Sequence, residues 1–268
     1  MTLVEARDVQ PRFVGRLGVA DAVTAGNAAL GFLAVVVAPA DVELAARLML
    51  LAAIGDGLDG VLARGFGSSE AGPYLDSLAD VACFGVAPAA LVYAAVRREW
   101  ALETLTADGR TAAALLVPAL FVTAAVVRLA LYTAHDAEDS ETEGVPSTLA
   151  ATIIGAAVLA GMTAPVSLLA VTAVFVYLML APVRYPDLLA RDALLMGVVH
   201  AVAIAVPDAT ESPLLPGVVG RGFPRALLLL GLAYLFLSPA LYWRDGLPTP
   251  SDDAEPEPEA EPDRKGNA

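Results

Sequence analysis

A chain of 268 residues that is 57% hydrophobic, with a mean hydropathy of +0.65, holds too many long apolar runs for a water-soluble domain and reads as a polytopic membrane protein. Its formal charge of −14 excludes a nucleic-acid partner and is concentrated in HDAEDSETEG (135–144) and SDDAEPEPEAEPDRKGNA (251–268). The single cysteine, Cys83, excludes a disulfide framework and a thiolate metal site; inside an apolar run it reads as a packing residue.

Residues 1–19 carry Arg7, Arg12 and Arg16 but lack the layout of a cleavable signal peptide, so they are expected to form a cytoplasmic or interfacial segment before a retained first span. Apolar runs then predict eight spans, at about 20–39, 42–64, 75–96, 111–134, 147–164, 166–183, 189–207 and 224–243. Pro39, the loop from Gly65 to Pro73, RREW (97–100), the acidic loop ending at Gly144 and Pro146, Pro165, RYPD (184–187) and PLLPGVVGRGFP (213–224) separate them. No run alternates with period two, which excludes a barrel and gives no support for strands. Stretches such as TAGNAALGFLA and TLAATIIGAAVLAG are built from small residues that let helices approach closely in lipid, giving a compact all-α bundle and allowing a homodimer. The domain plan is thus a core at 20–190, additional spans at 191–245 and, because its Pro/Glu alternation offers nothing to bury, a disordered acidic tail at 246–268. Lys265 is the one lysine among many arginines, which with the acidic exposed segments suggests a salt-loving host.

Arginine placement puts the N-terminus in the cytoplasm, together with Arg64, Arg184 and Arg191, whereas Arg97, Arg98, Arg110, Arg221 and Arg225 fall on the other side. Even-numbered spans end on the N-terminal side. Asp56, Asp59 and Arg64 of span two, Arg128 of span four and Arg184 of span six therefore meet Asp76 and Asp80 at the start of span three. A polar site at the cytoplasmic end of the bundle follows.

Asp56 and Asp59 are spaced i,i+3 and Asp76 and Asp80 i,i+4, so each pair projects from one helix face. Asp76 also qualifies as a helix N-cap, but Asp56 and Asp59 lie inside a continuing helix where capping does not explain them. Four clustered carboxylates repel unless cations neutralise them, and aspartate oxygens without histidine or cysteine select Mg²⁺, Mn²⁺ or Ca²⁺ over zinc. His135 falls in the acidic loop and His200 in span seven, where it is expected to be packed. Gly60, Ala63, Gly65, Gly67 and Gly72 leave room for a bulky ligand, and Arg64 beside divalent metal suits a phosphate. Phosphoryl chemistry is the reading: a two-metal clamp on a pyrophosphate, with a carboxylate taking the proton of a hydroxyl nucleophile. A divalent-cation transporter is the non-enzymatic alternative, although no inverted repeat supports it.

Asp56, Asp59-Gly60, Ala63-Arg64, Gly72, Asp76 and Asp80, at these spacings, resemble the signature of the CDP-alcohol phosphotransferase family. The resemblance implies a membrane enzyme with a six-helix core, here with about two extra C-terminal spans. It also implies a dinuclear Mg²⁺ or Mn²⁺ site, and transfer of the lipid phosphate of a CDP-activated lipid to an alcohol with release of CMP. It makes Asp56, Asp59, Asp76 and Asp80 metal ligands, Asp80 also the base, and Gly60, Ala63, Arg64 and Gly72 the CDP pocket, with Ser68 or Ser69 adding a hydroxyl. LDSLADVACFGVAPA (75–89), NAALGFLA (27–34), EGVPSTLAA (143–151) and VRYPD (183–187) are similar to the phosphatidylserine synthase branch, including its archaetidylserine synthase-like members, which implies L-serine as acceptor. A salt-loving host would make the lipid an archaeol. The fourth span departs from that branch, ending RLALYT with Leu131 and Thr133 in place of polar residues; a phosphorylated acceptor, glycerol 3-phosphate or inositol phosphate, is the alternative. Arg128 is the candidate for holding an acceptor carboxylate or the lipid phosphate, unless it snorkels to the interface.

Overall fold

A computed structural model of the protein describes residues 17–66, 69–104, 106–136, 141–186, 197–202, 204 and 221–242. The helices are α1 (Val19–Val37), α2 (Val42–Phe66), α3 (Gly72–Asp80), α4 (Ala87–Glu99), α5 (Gly109–Leu131), α6 (Ser147–Leu159), α7 (Pro165–Leu178) and α8 (Gly222–Tyr242). A π-helical turn at Val81–Val86 joins α3 to α4 without a break, and a second, Tyr132–Asp136, extends α5. Residues 197–202 are helical, but most of the predicted span 189–207 lies outside the described residues, as do the N-terminal segment to residue 16 and the acidic tail.

Among the described residues, four helical rods are long and apolar enough to cross a membrane: Val19–Val37, Gly72–Glu99, Gly109–Ala134 and Gly222–Pro239. The surface agrees. Phe32 on α1, Leu116 and Leu120 on α5, Val174 on α7 and Phe236 on α8 all point outward, as expected where lipid replaces water. The protein is an all-α, multi-pass membrane helix bundle.

Two predicted spans are shorter than expected. Spans 147–164 and 166–183 shrink to the 13 residues of α6 and the 14 of α7, each about 20 Å long against a hydrocarbon layer of about 30 Å. The cause is local. Gly161 takes φ +83°, its N–H bonds Val158 O at 2.9 Å and Met162 N–H bonds Ala157 O at 2.9 Å, a Schellman ending that stops α6, after which Pro165 opens α7. Every residue of α6 except Thr148 is buried, so this helix is a central post wrapped by its neighbours. Glycines allow the close approach: a Cβ on Gly155 would stand 2.7 Å from Met49 Cε of α2, and one on Gly231 2.8 Å from Ile153 Cγ1, across the α6–α8 contact.

The second difference is a two-stranded antiparallel ribbon, β1 (Glu141–Glu143) and β2 (Arg184–Pro186), with Thr142 opposite Tyr185. Strands of three residues are too short to show a period-two pattern, which is why the sequence carries no sign of them.

The π turn behind Asp80 is clamped between α1 and α5. Gly31 of α1 lies so close that a Cβ there would stand 2.9 Å from the carbonyl carbon of Ala82 and 3.0 Å from Cys83 N. Cys83, fully buried, donates its S–H to Asn27 O at 2.9 Å, a packing role as expected. Since backbone cannot yield as a flexible side chain does, Gly31→Ala is expected to cost about 1–3 kcal/mol. An unchanged Tm in detergent would refute this close approach.

Candidate functional site

A cavity of about 490 Å³ opens at one end of the bundle, within the range of small-ligand sites. It lies where the topology predicted, at the C-terminal ends of α2 and α5 and the starts of α1, α3 and α6. The opposite end carries Glu43, Arg98 and Arg221 around a smaller hollow.

The first turn of α3 begins at Gly72 with Pro73 next, a position where the missing N–H costs nothing. Its N-cap is Ala71, so Asp76, a full turn further in, is not the cap. Asp80 is the last residue of α3, presented where the π turn begins. Asp56 from α2 meets them, and one carboxylate oxygen from each of Asp56, Asp76 and Asp80 lies within 4.8 Å of the others. All three side chains are half-buried. Thr148, the one residue of α6 that lines the cavity, stands with its hydroxyl beside Asp56.

Asp59 stands apart from the group of three. It lines the same cavity, but its carboxylate accepts a 2.6 Å hydrogen bond from the Thr24 hydroxyl of α1 and it lies outside the group of three. Two helix positions three apart share a face only within about 60°, so one neighbour, Asp56, faces α3 while the other reaches α1.

Arg128 is 7% exposed, so it does not snorkel. Its Nη2 donates to Thr142 Oγ1 at 3.1 Å, its guanidinium lies 5.6 Å from the Tyr132 ring centroid, and its charge acts on Asp80. Ser77 of α3 and Thr133 of the second π turn are hydrogen-bonded to each other, with their hydroxyls at the cavity wall. Thr133 thus remains a polar cavity residue in the stretch where the sequence departs from the branch pattern.

Gly60 and Gly72 line the cavity. Ser69 does not: its hydroxyl accepts from Ala71 N at 3.2 Å in the turn before α3. The side chains of Ala63 and Arg64, and all of Ser68, lie outside the described residues. Arg184 is tied to Glu143 at 3.4 Å across the ribbon, with both side chains largely exposed, and does not line the cavity. His200 is buried within 3.3 Å of Thr152 Oγ1, packed as anticipated. Among the described residues, Arg128 is the one arginine or lysine lining the cavity.

The sequence reading missed Thr24, Thr142, Thr148 and Tyr234. Thr148 sits within EGVPSTLAA, where a signal existed. The others have none: Thr24 and Tyr234 are lone residues in apolar runs, more often packing than ligand, and Thr142 lies in the acidic loop, where a threonine reads as solvated.

Three hard carboxylate oxygens within 4.8 Å repel strongly in a half-buried setting, and a single guanidinium does not balance them. Oxygen donors without histidine or thiolate, Cys83 being turned to Asn27, fit a divalent cation. Such a cluster beside a cavity and a buried arginine suits an anionic, phosphate-bearing ligand.

Comparison with known proteins agrees with this chemistry. The family model of the CDP-alcohol phosphatidyltransferases matches residues 17–207. The chain is also 32% identical over 164 residues to the archaetidylserine synthase of Methanothermobacter thermautotrophicus, a match spanning 60% of this chain and 66% of that relative.

Proposed function

The chain belongs to the CDP-alcohol phosphatidyltransferase family, and from that premise we propose that it joins a CDP-activated lipid to L-serine. The serine hydroxyl oxygen bonds to the lipid-side phosphorus, the bridging P–O bond breaks, and CMP leaves with the electron pair. The observation that carries the reading is the Asp56–Asp76–Asp80 cluster in a cavity that Arg128 also lines.

In this reading Asp56, Asp59, Asp76 and Asp80 hold two divalent ions, Mg²⁺ or Mn²⁺. When bound, these ions neutralise the pyrophosphate and the charge that develops on the leaving oxygen. Asp80 takes the serine proton, being the carboxylate of the cluster on which the charge of Arg128 acts. Thr148 orients Asp56, and Thr24 orients Asp59. Gly60, Ala63, Arg64 and Gly72 accept the CDP moiety, the glycines by letting it approach the backbone. Arg128, steadied by Thr142, holds the serine carboxylate through charge-assisted hydrogen bonds.

A single arginine in the described wall favours serine over glycerol 3-phosphate or inositol phosphate, whose dianionic phosphate calls for two or more cations. The similarity to an archaetidylserine synthase supports the same choice and an archaeol lipid. Arginine placement supports a cell membrane setting with the site facing the cytoplasm. The position of the cluster at one end of the bundle runs against an ion-transport role, which favours carboxylates near the midplane. The domain plan follows: a catalytic core at 20–190, added spans at 191–245, an acidic tail at 246–268, and small-residue faces that suit a homodimer.

The test is an assay of membranes with CDP-archaeol or CDP-diacylglycerol, Mg²⁺ or Mn²⁺, and each alcohol in turn. Serine-dependent CMP release is expected, with kcat/KM at least about tenfold above that for either phosphorylated alcohol. CMP release with only the phosphorylated alcohols refutes the serine assignment.

A further inference from the structure

The helix α8 lies beyond residues 17–207, the part of the chain that matches the family, yet it supplies Tyr234 to the wall of the cavity. Its orientation is set by burial: Leu229 and Phe236 face outward, whereas Leu227 and Leu235 are buried and Gly231 lies against Ile153 of α6. Tyr234 is held from behind by Tyr185 of β2, with ring centroids 6.4 Å apart and planes at 29°. The buried Tyr185 hydroxyl donates to Leu235 O at 3.4 Å, pinning strand to helix. Tyr185 is the ribbon partner of Thr142, and Thr142 accepts from Arg128. A continuous series of contacts therefore runs from the guanidinium through the ribbon to the Tyr234 ring.

The cavity wall consequently carries two unlike groups, a glycine end and an arginine end. Gly60 and Gly72, from α2 and α3, belong to the first, with Asp59 bonded to Thr24 of α1. Arg128, bonded to Thr142 and beside Tyr132, belongs to the second and is joined through Tyr185 to Tyr234. If the glycine end takes the nucleotide, the arginine end takes the alcohol.

We infer that Tyr234 is a specificity-determining residue, its ring closing the Arg128 end of the cavity and limiting the size of the alcohol admitted there. This rests on the transferase reading above. A rigid ring braced by a second ring cannot move aside for an extra methylene, whereas the serine side chain with its carboxylate on Arg128 needs no such room. The role is one of exclusion, so it belongs to the ring and not to the phenol hydroxyl.

The experiment uses the full chain in membranes with a CDP-activated lipid and compares L-serine with L-homoserine, which has the same charges and one more methylene. The wild type is expected to prefer serine by about tenfold or more in kcat/KM, the usual worth of one methylene in a fitted pocket. Tyr234→Ala should bring that ratio to within about threefold by raising kcat/KM for homoserine, leaving the KM for serine and for CDP-lipid within a few-fold of wild type. Tyr234→Phe should keep the wild-type ratio, and Phe236→Ala, on the outward face of α8, should change neither. Should Tyr234→Ala fail to fold, Tyr234→Leu carries the same expectation with a smaller change in volume. An unchanged serine-to-homoserine ratio in the folded variant, or a loss confined to CDP-lipid affinity, overturns this inference alone. Absence of CMP release from any alcohol by the wild type overturns the transferase reading and this inference with it.

Discussion

Asp80→Asn is expected to lower kcat for CMP release by about 10³-fold or more, because a positioned base contributes about 10²–10⁴-fold and the same carboxylate belongs to the cation cluster. The substitution is nearly isosteric. It removes one of three carboxylates crowded within 4.8 Å, so thermal unfolding without added metal should be unchanged or shifted upward. CDP-lipid KM should stay within a few-fold, since Asp56, Asp76 and the glycine end of the cavity remain. Measuring kcat, CDP-lipid KM and Tm on one preparation separates lost chemistry from lost folding. Retention of a tenth of the wild-type turnover by a folded Asp80→Asn protein would remove Asp80 from the role of base.

Cation removal should have an effect of comparable size. A strong chelator is expected to abolish serine-dependent CMP release, with Mg²⁺ or Mn²⁺ restoring it. In Asp56→Ala the cation concentration for half-maximal rate should rise by about 10²-fold, in line with the loss of a ligand being at least as costly as the loss of its supporting hydrogen bond. A readout independent of turnover is available. A cation that binds only the folded protein stabilises it by about 2.7 kcal/mol at one hundred times its Kd, so the wild type should gain Tm on Mn²⁺ addition and Asp56→Ala should gain much less. Equal gains in the two proteins would mean that the cation binds elsewhere. Thr148→Val, which removes the hydroxyl beside Asp56 while keeping side-chain volume, should shift the same titration in the same direction by a smaller factor.

Several helix boundaries were readable because they depend on neighbours in sequence. Span one begins where Gly18 N–H donates to Asp21 at 2.7 Å, and the fourth where Asp108 accepts from Arg110 N and Thr111 N. Pro165 starts a helix and does not interrupt one, as a proline in a first turn does. The shortening of α6 was not readable. Its apolar run continues through Gly161, and only the left-handed conformation of that glycine, with Arg221 packed against it, ends the helix there.

The site divides in the same way. Spacing alone put Asp56, Asp76 and Asp80 on faces that can meet, and alternating span direction placed them with Arg128 at one end of the bundle. Arg184 had equal standing by that argument, yet the ribbon pairs it with Glu143 at the surface. A charge count sees two arginines, whereas strand register sends one outward.

What the residues determine unaided is whatever follows from period, cost and order along the chain. The apolar runs demand lipid, the carboxylates inside them demand a counter-charge, and the parity of the spans demands that they gather at one end. Tertiary structure decided which of four aspartates form the group of three and which turns to Thr24, how α6 becomes a buried post, and that a helix outside the family-matched region brings Tyr234 into the cavity. These outcomes rest on contacts between segments tens to about a hundred residues apart. Their free energy arises from packing and hydrogen bonds formed only when the helices have docked, so no local pattern records them.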